Sequence, residues 1–126
     1  MKEQTFFIRI GASLCGLAVI SGAFGAHLLK DRLSDYQMQV YNKALLYHFF
    51  HALALLILPS LSTKLDPRRL RKAGWVLFVG IMVFSGSLYA LALTNLKILG
   101  AITPIGGTLF IVGWFLVVTA KQKEIA

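Results

Sequence analysis

The chain has 126 residues, 57% of them hydrophobic and only 14% charged, with a net charge of +8. So few charged residues cannot supply the polar exterior of a soluble domain, and the apolar runs between them have membrane-spanning length. The cations sit at segment ends and in loops, the pattern of lipid-headgroup contact rather than of nucleic-acid binding, and the single cysteine, Cys15, excludes an internal disulfide and any Cys-based metal motif.

The pattern predicts an all-α integral membrane bundle of four transmembrane helices, folded as one domain over residues 1–126. Backbone groups in lipid must be paired within their own segment, so spans of this length are helical. The first span covers about residues 6–26. At 100° per residue, Gly11, Cys15, Ala18, Gly22, Gly25 and Ala26 share one side, and Ala12, Gly16, Ala23 and His27 form a second ridge. Small residues let helices approach closely in lipid. Two such ridges predict a central helix with neighbours on both sides, received by Gly86 and Ala90 of the third span and by Gly106 and Gly113 of the fourth. Lys2, the apolar run and the small residues Ala23 and Gly25 also have the layout of a cleaved signal peptide, which Arg9 interrupts.

Ser34-Asp35-Tyr36-Gln37 reads as a capping box that starts the second helix, whose apolar part spans about residues 40–58 and stops at Pro59. Gln37, Tyr41, Ala44, His48 and His51 fall in one stripe of this helix, and the cost of a histidine against lipid turns the stripe inward.

The stretch 62–72 carries five of the thirteen cations: Lys64, Arg68, Arg69, Arg71 and Lys72. Asp66-Pro67 reads as an N-cap followed by proline at the first helical position. Arg68, Arg69, Arg71 and Lys72 then lie in a first helical turn, where they oppose the helix dipole. Attraction to anionic headgroups, at about 1 kcal/mol per cation near the surface, accounts for them. The third span, about residues 73–94, offers Ser85 and Tyr89 on one face to the histidines. The fourth, about 98–120, holds the break signal Thr103-Pro104-Ile105-Gly106-Gly107. Either it kinks there, or it breaks and Thr103 caps a new helix.

If loop 62–72 is cytoplasmic, so are both termini. Lys2, Arg9, Lys64, Arg68, Arg69, Arg71, Lys72, Lys121 and Lys123 then lie inside, against Lys30, Arg32, Lys43 and Lys97 outside. Nine against four is a positive-inside assignment in the cytoplasmic (inner) membrane.

His27, His48, His51, Ser85 and Tyr89 form the candidate polar cluster. Three readings of the histidines stand. They hold helices in register, they line a proton-linked or solute pathway, or they bind a metal. Against the last, no Asp or Glu lies within a span and three histidines are all the chain has, so neither metal nor cofactor is expected. A small proton-coupled multidrug exporter is similar in size but relies on a membrane glutamate that this chain lacks. Ser85 and Ser87 have no acid to complete a triad, and Gly106-Gly107 lacks the Lys and Ser/Thr of a phosphate loop, so no catalytic residue is assigned.

The runs G-A-F-G-A-H (22–27), Y-H-F-F-H-A-L-A (47–54), F-S-G-S-L-Y-A-L (84–91) and T-P-I-G-G (103–107), with Gly113-Trp114 behind them, carry a resemblance. The chain resembles the small inner-membrane proteins catalogued as domain of unknown function 423, which include relatives of the human transmembrane protein 256. The resemblance covers nearly the whole chain, one motif per span. It implies four spans and an uncleaved first segment, and it implies no activity, substrate or catalytic residue. Where that family usually has glycine after the third span, this chain has Asn95, which also tolerates a left-handed helix end. The resulting expectation is a non-enzymatic structural or interaction module of the membrane, with the bilayer, a second copy or another membrane protein as partner. Its competitor is a carrier or channel subunit whose path is lined by His27, His48, His51 and Tyr89.

Overall fold

The computed structural model describes residues 2–124 and contains four helices long and apolar enough to cross a membrane. They are α1 (Lys2–Leu29), α2 (Asp35–Thr63), α3 (Pro67–Thr94) and α4 (Lys97–Val118). At 1.5 Å per residue, the 29 residues of α2 rise about 43 Å, the thickness of a bilayer with its headgroups.

Side chains set the helix ends. Ser34 Oγ accepts from the Gln37 N–H and Gln37 Oε1 accepts from the Ser34 N–H, both at 3.1 Å, closing the capping box of α2. Asp66 accepts from the Arg68 N–H at 3.1 Å, with Pro67 opening α3. Asn95 ends α3 with φ 57°, the left-handed conformation expected of it. The break in the fourth span is a change of helix type. Lys97–Ala101 is a 3-10 run, and an α-helix follows over Thr103–Val118 with Pro104 in its first turn, where a missing N–H costs nothing. Thr103 does not cap this helix through its side chain; its hydroxyl pairs with that of Ser87 at 2.7 Å. Two π-helical turns interrupt two of the other spans, Ser21–Gly25 in α1 and Ile81–Ser85 in α3.

α2 and α3 form the buried pair of the bundle. α1 packs chiefly on α2, and α4 chiefly on α3. This corrects the expectation of a central first helix. Its first ridge carries the buried residues Gly11 and Ala18, with Phe7 and Leu14 beside them, but Ala12, Gly16, Ala23 and His27 all face outward. Gly16 and Gly86, read as packing positions, are exposed and have no non-local atom within 4 Å of where a Cβ would stand. A small-residue ridge permits close approach without attracting a partner, and no side chain stands opposite Gly86.

The other glycines sit at close approaches. A Cβ on Gly11 would lie 2.8 Å from the Leu56 backbone nitrogen, and one on Gly106 would run into the Phe84 backbone. At Gly113 it would meet Leu77 at 2.5 Å, at Gly22 Leu45 at 3.2 Å, and at Gly25 the Tyr41 hydroxyl. Gly74 and Gly80, which sequence reasoning passed over, receive the rings of Phe7 and Phe110.

Outward, the helices are apolar: Leu28, Ile98, Ile111 and Val118 are each more than 70% exposed, which water would penalise and lipid does not. At one end, the tail beyond α4 folds back on the α2–α3 loop. The Asp66 N–H donates to the Lys121 carbonyl at 2.9 Å, and the Lys123 N–H to the Lys64 carbonyl at 2.8 Å. This clasp brings Lys121 and Lys123 beside the cations of the loop. Arg71 pairs with Glu3 at 3.1 Å, and Arg69 Nη2 donates to Thr119 at 2.7 Å.

Candidate functional site

The inward stripe of α2 makes polar contacts with every other helix. Gln37 Nε2 donates to the Ala92 carbonyl of α3 at 2.8 Å. The Tyr41 hydroxyl donates to the Ser21 carbonyl in the π-turn of α1 at 2.6 Å, and the Ser21 hydroxyl lies 2.6 Å from the same phenol oxygen. Of the two hydroxyls that the sequence offers to the histidines, Ser85 pairs with neither ring; it donates to the Ala44 carbonyl at 2.9 Å.

His48 is 6% exposed and joins three helices. Its Nε2 stands 2.8 Å from the Leu14 carbonyl of α1, and its Nδ1 stands 2.8 Å from the Tyr89 hydroxyl of α3. A carbonyl only accepts, so Nε2 carries the proton. No carboxylate lies inside the bundle to offset a buried imidazolium, so the ring is neutral and Nδ1 accepts from Tyr89.

His51 is 4% exposed and takes the other tautomer. Its Nδ1 is 2.9 Å from the Tyr47 carbonyl one turn back, so Nδ1 carries the proton. Its Nε2 accepts from the indole N–H of Trp114 on α4 at 3.0 Å. Its ring also stacks on Phe110, centroids 3.6 Å apart and planes 11° from parallel. The two histidines are three residues apart in sequence but serve opposite sides, His48 toward α1 and α3, His51 toward α4.

His27 stands apart from both, exposed in the last turns of α1, and no hydrogen bond among the described residues joins it to the pair. Trp114, Ser21 and the Leu14 carbonyl are partners that the sequence reading did not name, and Tyr41 stood in its inward stripe without a partner. Trp114 enters the sequence reading only through the family resemblance, and the donor character of indole is the signal that points to a buried acceptor. A backbone carbonyl has no signal in sequence at all.

The family described as Protein of unknown function (DUF423) matches residues 21–107, from the π-turn of α1 into the first turns of α4. The chain belongs to this family. A UPF0382 membrane protein of Staphylococcus epidermidis is 52% identical over 117 residues, which cover 93% of this chain and 95% of that relative. The UPF0382 membrane protein YwdK of Bacillus subtilis is 47% identical over 118 residues, 93% and 96% of the two chains. A third relative, from Staphylococcus haemolyticus, is 49% identical over 117 residues, 93% and 95% of the two. No solved structure matches the fold. With relatives named as membrane proteins and four apolar helices of spanning length, this family member is a multi-pass membrane protein.

Proposed function

We propose that this chain is a non-enzymatic structural or interaction module of the cytoplasmic membrane, in which His48 and His51 hold the outer helices onto α2. The observation that carries the reading is that all four ring nitrogens already have a protein partner, at 2.8 to 3.0 Å. A proton relay needs a group able to release or take up a proton along a path, and a metal needs bare lone pairs. Two neutral tautomers, each with its donor and its acceptor engaged, serve instead as interhelical glue.

In this reading loop 62–72 and both termini are cytoplasmic. Arg68, Arg69, Arg71 and Lys72, with Lys121 and Lys123 of the clasp, meet anionic headgroups, and the bilayer is the first partner. Any second copy or other membrane protein docks on the exposed helix faces. The test is flux. Liposomes holding the purified protein and a pH-sensitive dye should keep a pH gradient as long as empty liposomes do, and faster decay that His48→Asn abolishes would overturn the reading.

A further inference from the structure

At the clasp end, the first turns of α1 and α3 and the last turns of α2 line a cavity of about 120 Å³. Phe7, Leu58 and Leu70 form its apolar part, and all three are buried. Its rim is charged. Glu3 and Arg71 pair there at 3.1 Å, each side chain about half exposed, and Arg68 stands one turn earlier on α3. Beside them Gln4 donates to Ser62 at 2.8 Å, tying α1 to the end of α2.

The rim has donors to spare. The Arg68 side chain has no hydrogen bond or ion pair among the described residues; only its backbone N–H is used, by Asp66. A guanidinium has five N–H groups and one carboxylate engages at most two of them, so Arg71 keeps donors beyond Glu3. Arg68 and Arg71 against Glu3 leave the rim with a charge of +1. The same face of α3 continues into the membrane. Arg68, Arg71, Trp75, Val79 and Met82 follow one another at steps of three and four residues. Trp75, Val79 and Met82 are 42%, 43% and 46% exposed. One turn below the Glu3–Arg71 pair, Phe6 of α1 stacks on Trp75 with centroids 5.2 Å apart. From Arg71 to Met82 the stripe rises about 16 Å at 1.5 Å per residue, close to the depth of one leaflet.

We infer that this stripe holds one anionic phospholipid, with its phosphodiester on Arg68 and Arg71, its glycerol backbone against the Phe6–Trp75 stack and an acyl chain along Val79 and Met82. The site presupposes the proposed function, in which the clasp end meets headgroups, and adds to it a single ordered lipid. Charge and spacing select the class. A phosphodiester whose head carries no amine has one negative charge and neutralises the rim, whereas a choline head brings its own cation beside two arginines. The two unesterified oxygens of the phosphate accept from guanidinium groups in charge-assisted bonds. A fatty acid lacks the spacer. With its carboxylate on Arg71, its first methylenes would lie in the polar turn between Arg71 and Trp75, about 6 Å of helix that the glycerol esters of a phospholipid fill. Trp75 suits this level, since indole collects where headgroups meet acyl chains.

The test uses the full chain carrying Trp114→Phe, which leaves Trp75 as its single tryptophan, in phosphatidylcholine bilayers. Phosphatidylglycerol with chains brominated near the glycerol should quench Trp75 at least about threefold more than equally brominated phosphatidylcholine at the same mole fraction. Arg68→Gln, which breaks no side-chain contact among the described residues, should at least halve that difference, and Arg68→Gln with Arg71→Gln should remove it. Lys64→Gln with Lys121→Gln takes two charges from the same end and should leave the difference intact, which separates a site from diffuse attraction. Water-soluble glycerophosphoglycerol, the same head without chains, should not displace the lipid. Equal quenching by the two lipids, a difference unchanged in both arginine variants, its loss in the lysine variant, or displacement by the chainless head would overturn the inference. The outcome is separable from the proposed function: equal quenching leaves the histidine clamps standing, and proton flux through liposomes leaves the lipid site standing.

Discussion

Tyr89 reaches from α3 to Nδ1 of His48 across 2.8 Å, and that bond ties the third helix to the first, because the same ring's Nε2–H is held by the Leu14 carbonyl. One imidazole therefore bridges α1 and α3. His51 does the equivalent for α4 through Trp114.

The two histidines should show opposite tautomers. Ring nitrogen shifts of ¹⁵N-histidine protein in bilayers should place the proton of His48 on Nε2 and that of His51 on Nδ1. His48→Asn and His51→Asn samples assign the signals. A common tautomer, or an imidazolium at neutral pH, would contradict the hydrogen-bond assignment.

Removing the His48 bridge should cost stability stepwise. Tyr89→Phe removes one hydrogen bond, about 0.5–1.5 kcal/mol. His48→Leu removes both bonds and leaves the Tyr89 hydroxyl without its acceptor, about 1–3 kcal/mol, while the Leu14 carbonyl keeps its helical N–H. His48→Asn, which keeps one donor and one acceptor, should fall between them. Reversible unfolding in mixed micelles measures the order, and a His48→Leu variant as stable as Tyr89→Phe would break it.

Trp114 should report its own bond. In a Trp75→Phe background, His51→Leu removes the acceptor of the indole N–H, and Trp114 emission should move to shorter wavelength. Trp114→Phe keeps the ring but loses the donor and should destabilise by about 1 kcal/mol. Unchanged emission in His51→Leu would place the indole N–H elsewhere.

The glycines divide by what faces them. Gly106→Ala drives a methyl into the Phe84 backbone, which cannot rotate aside, so overpacking should cost about 1–3 kcal/mol. Gly16→Ala and Gly86→Ala meet open space and should change stability by less than about 0.5 kcal/mol in detergent. A loss at Gly16 or Gly86 in bilayers alone would instead mark a contact between copies.

Topology is checked by cysteine labelling in a Cys15→Ala background. Lys64→Cys and Lys123→Cys should react with an impermeant maleimide only after the cells are opened, and Lys97→Cys in intact cells. The clasp makes the first two a linked pair, since the Lys123 N–H donates to the Lys64 carbonyl at 2.8 Å, so labelling of one from outside without the other would dispute the bundle itself.

The solvent, the four spans and most helix ends are legible in the sequence because each depends on residues near one another in the chain. Twenty apolar residues read as a span wherever they fold. Ser34 with Gln37, Asp66 with Pro67, and Asn95 set their helix ends within a few positions of themselves. That the α2 stripe faces protein is legible too, since lipid penalises an exposed histidine on any face. The tertiary structure decided the rest. Whether a ridge of small residues is used depends on a second helix, so Gly11 and Gly16, five residues apart on α1, have opposite fates. His48 chose a carbonyl at Leu14 and His51 an indole at Trp114, 34 and 63 residues away, and a carbonyl is the same group at every position in the chain.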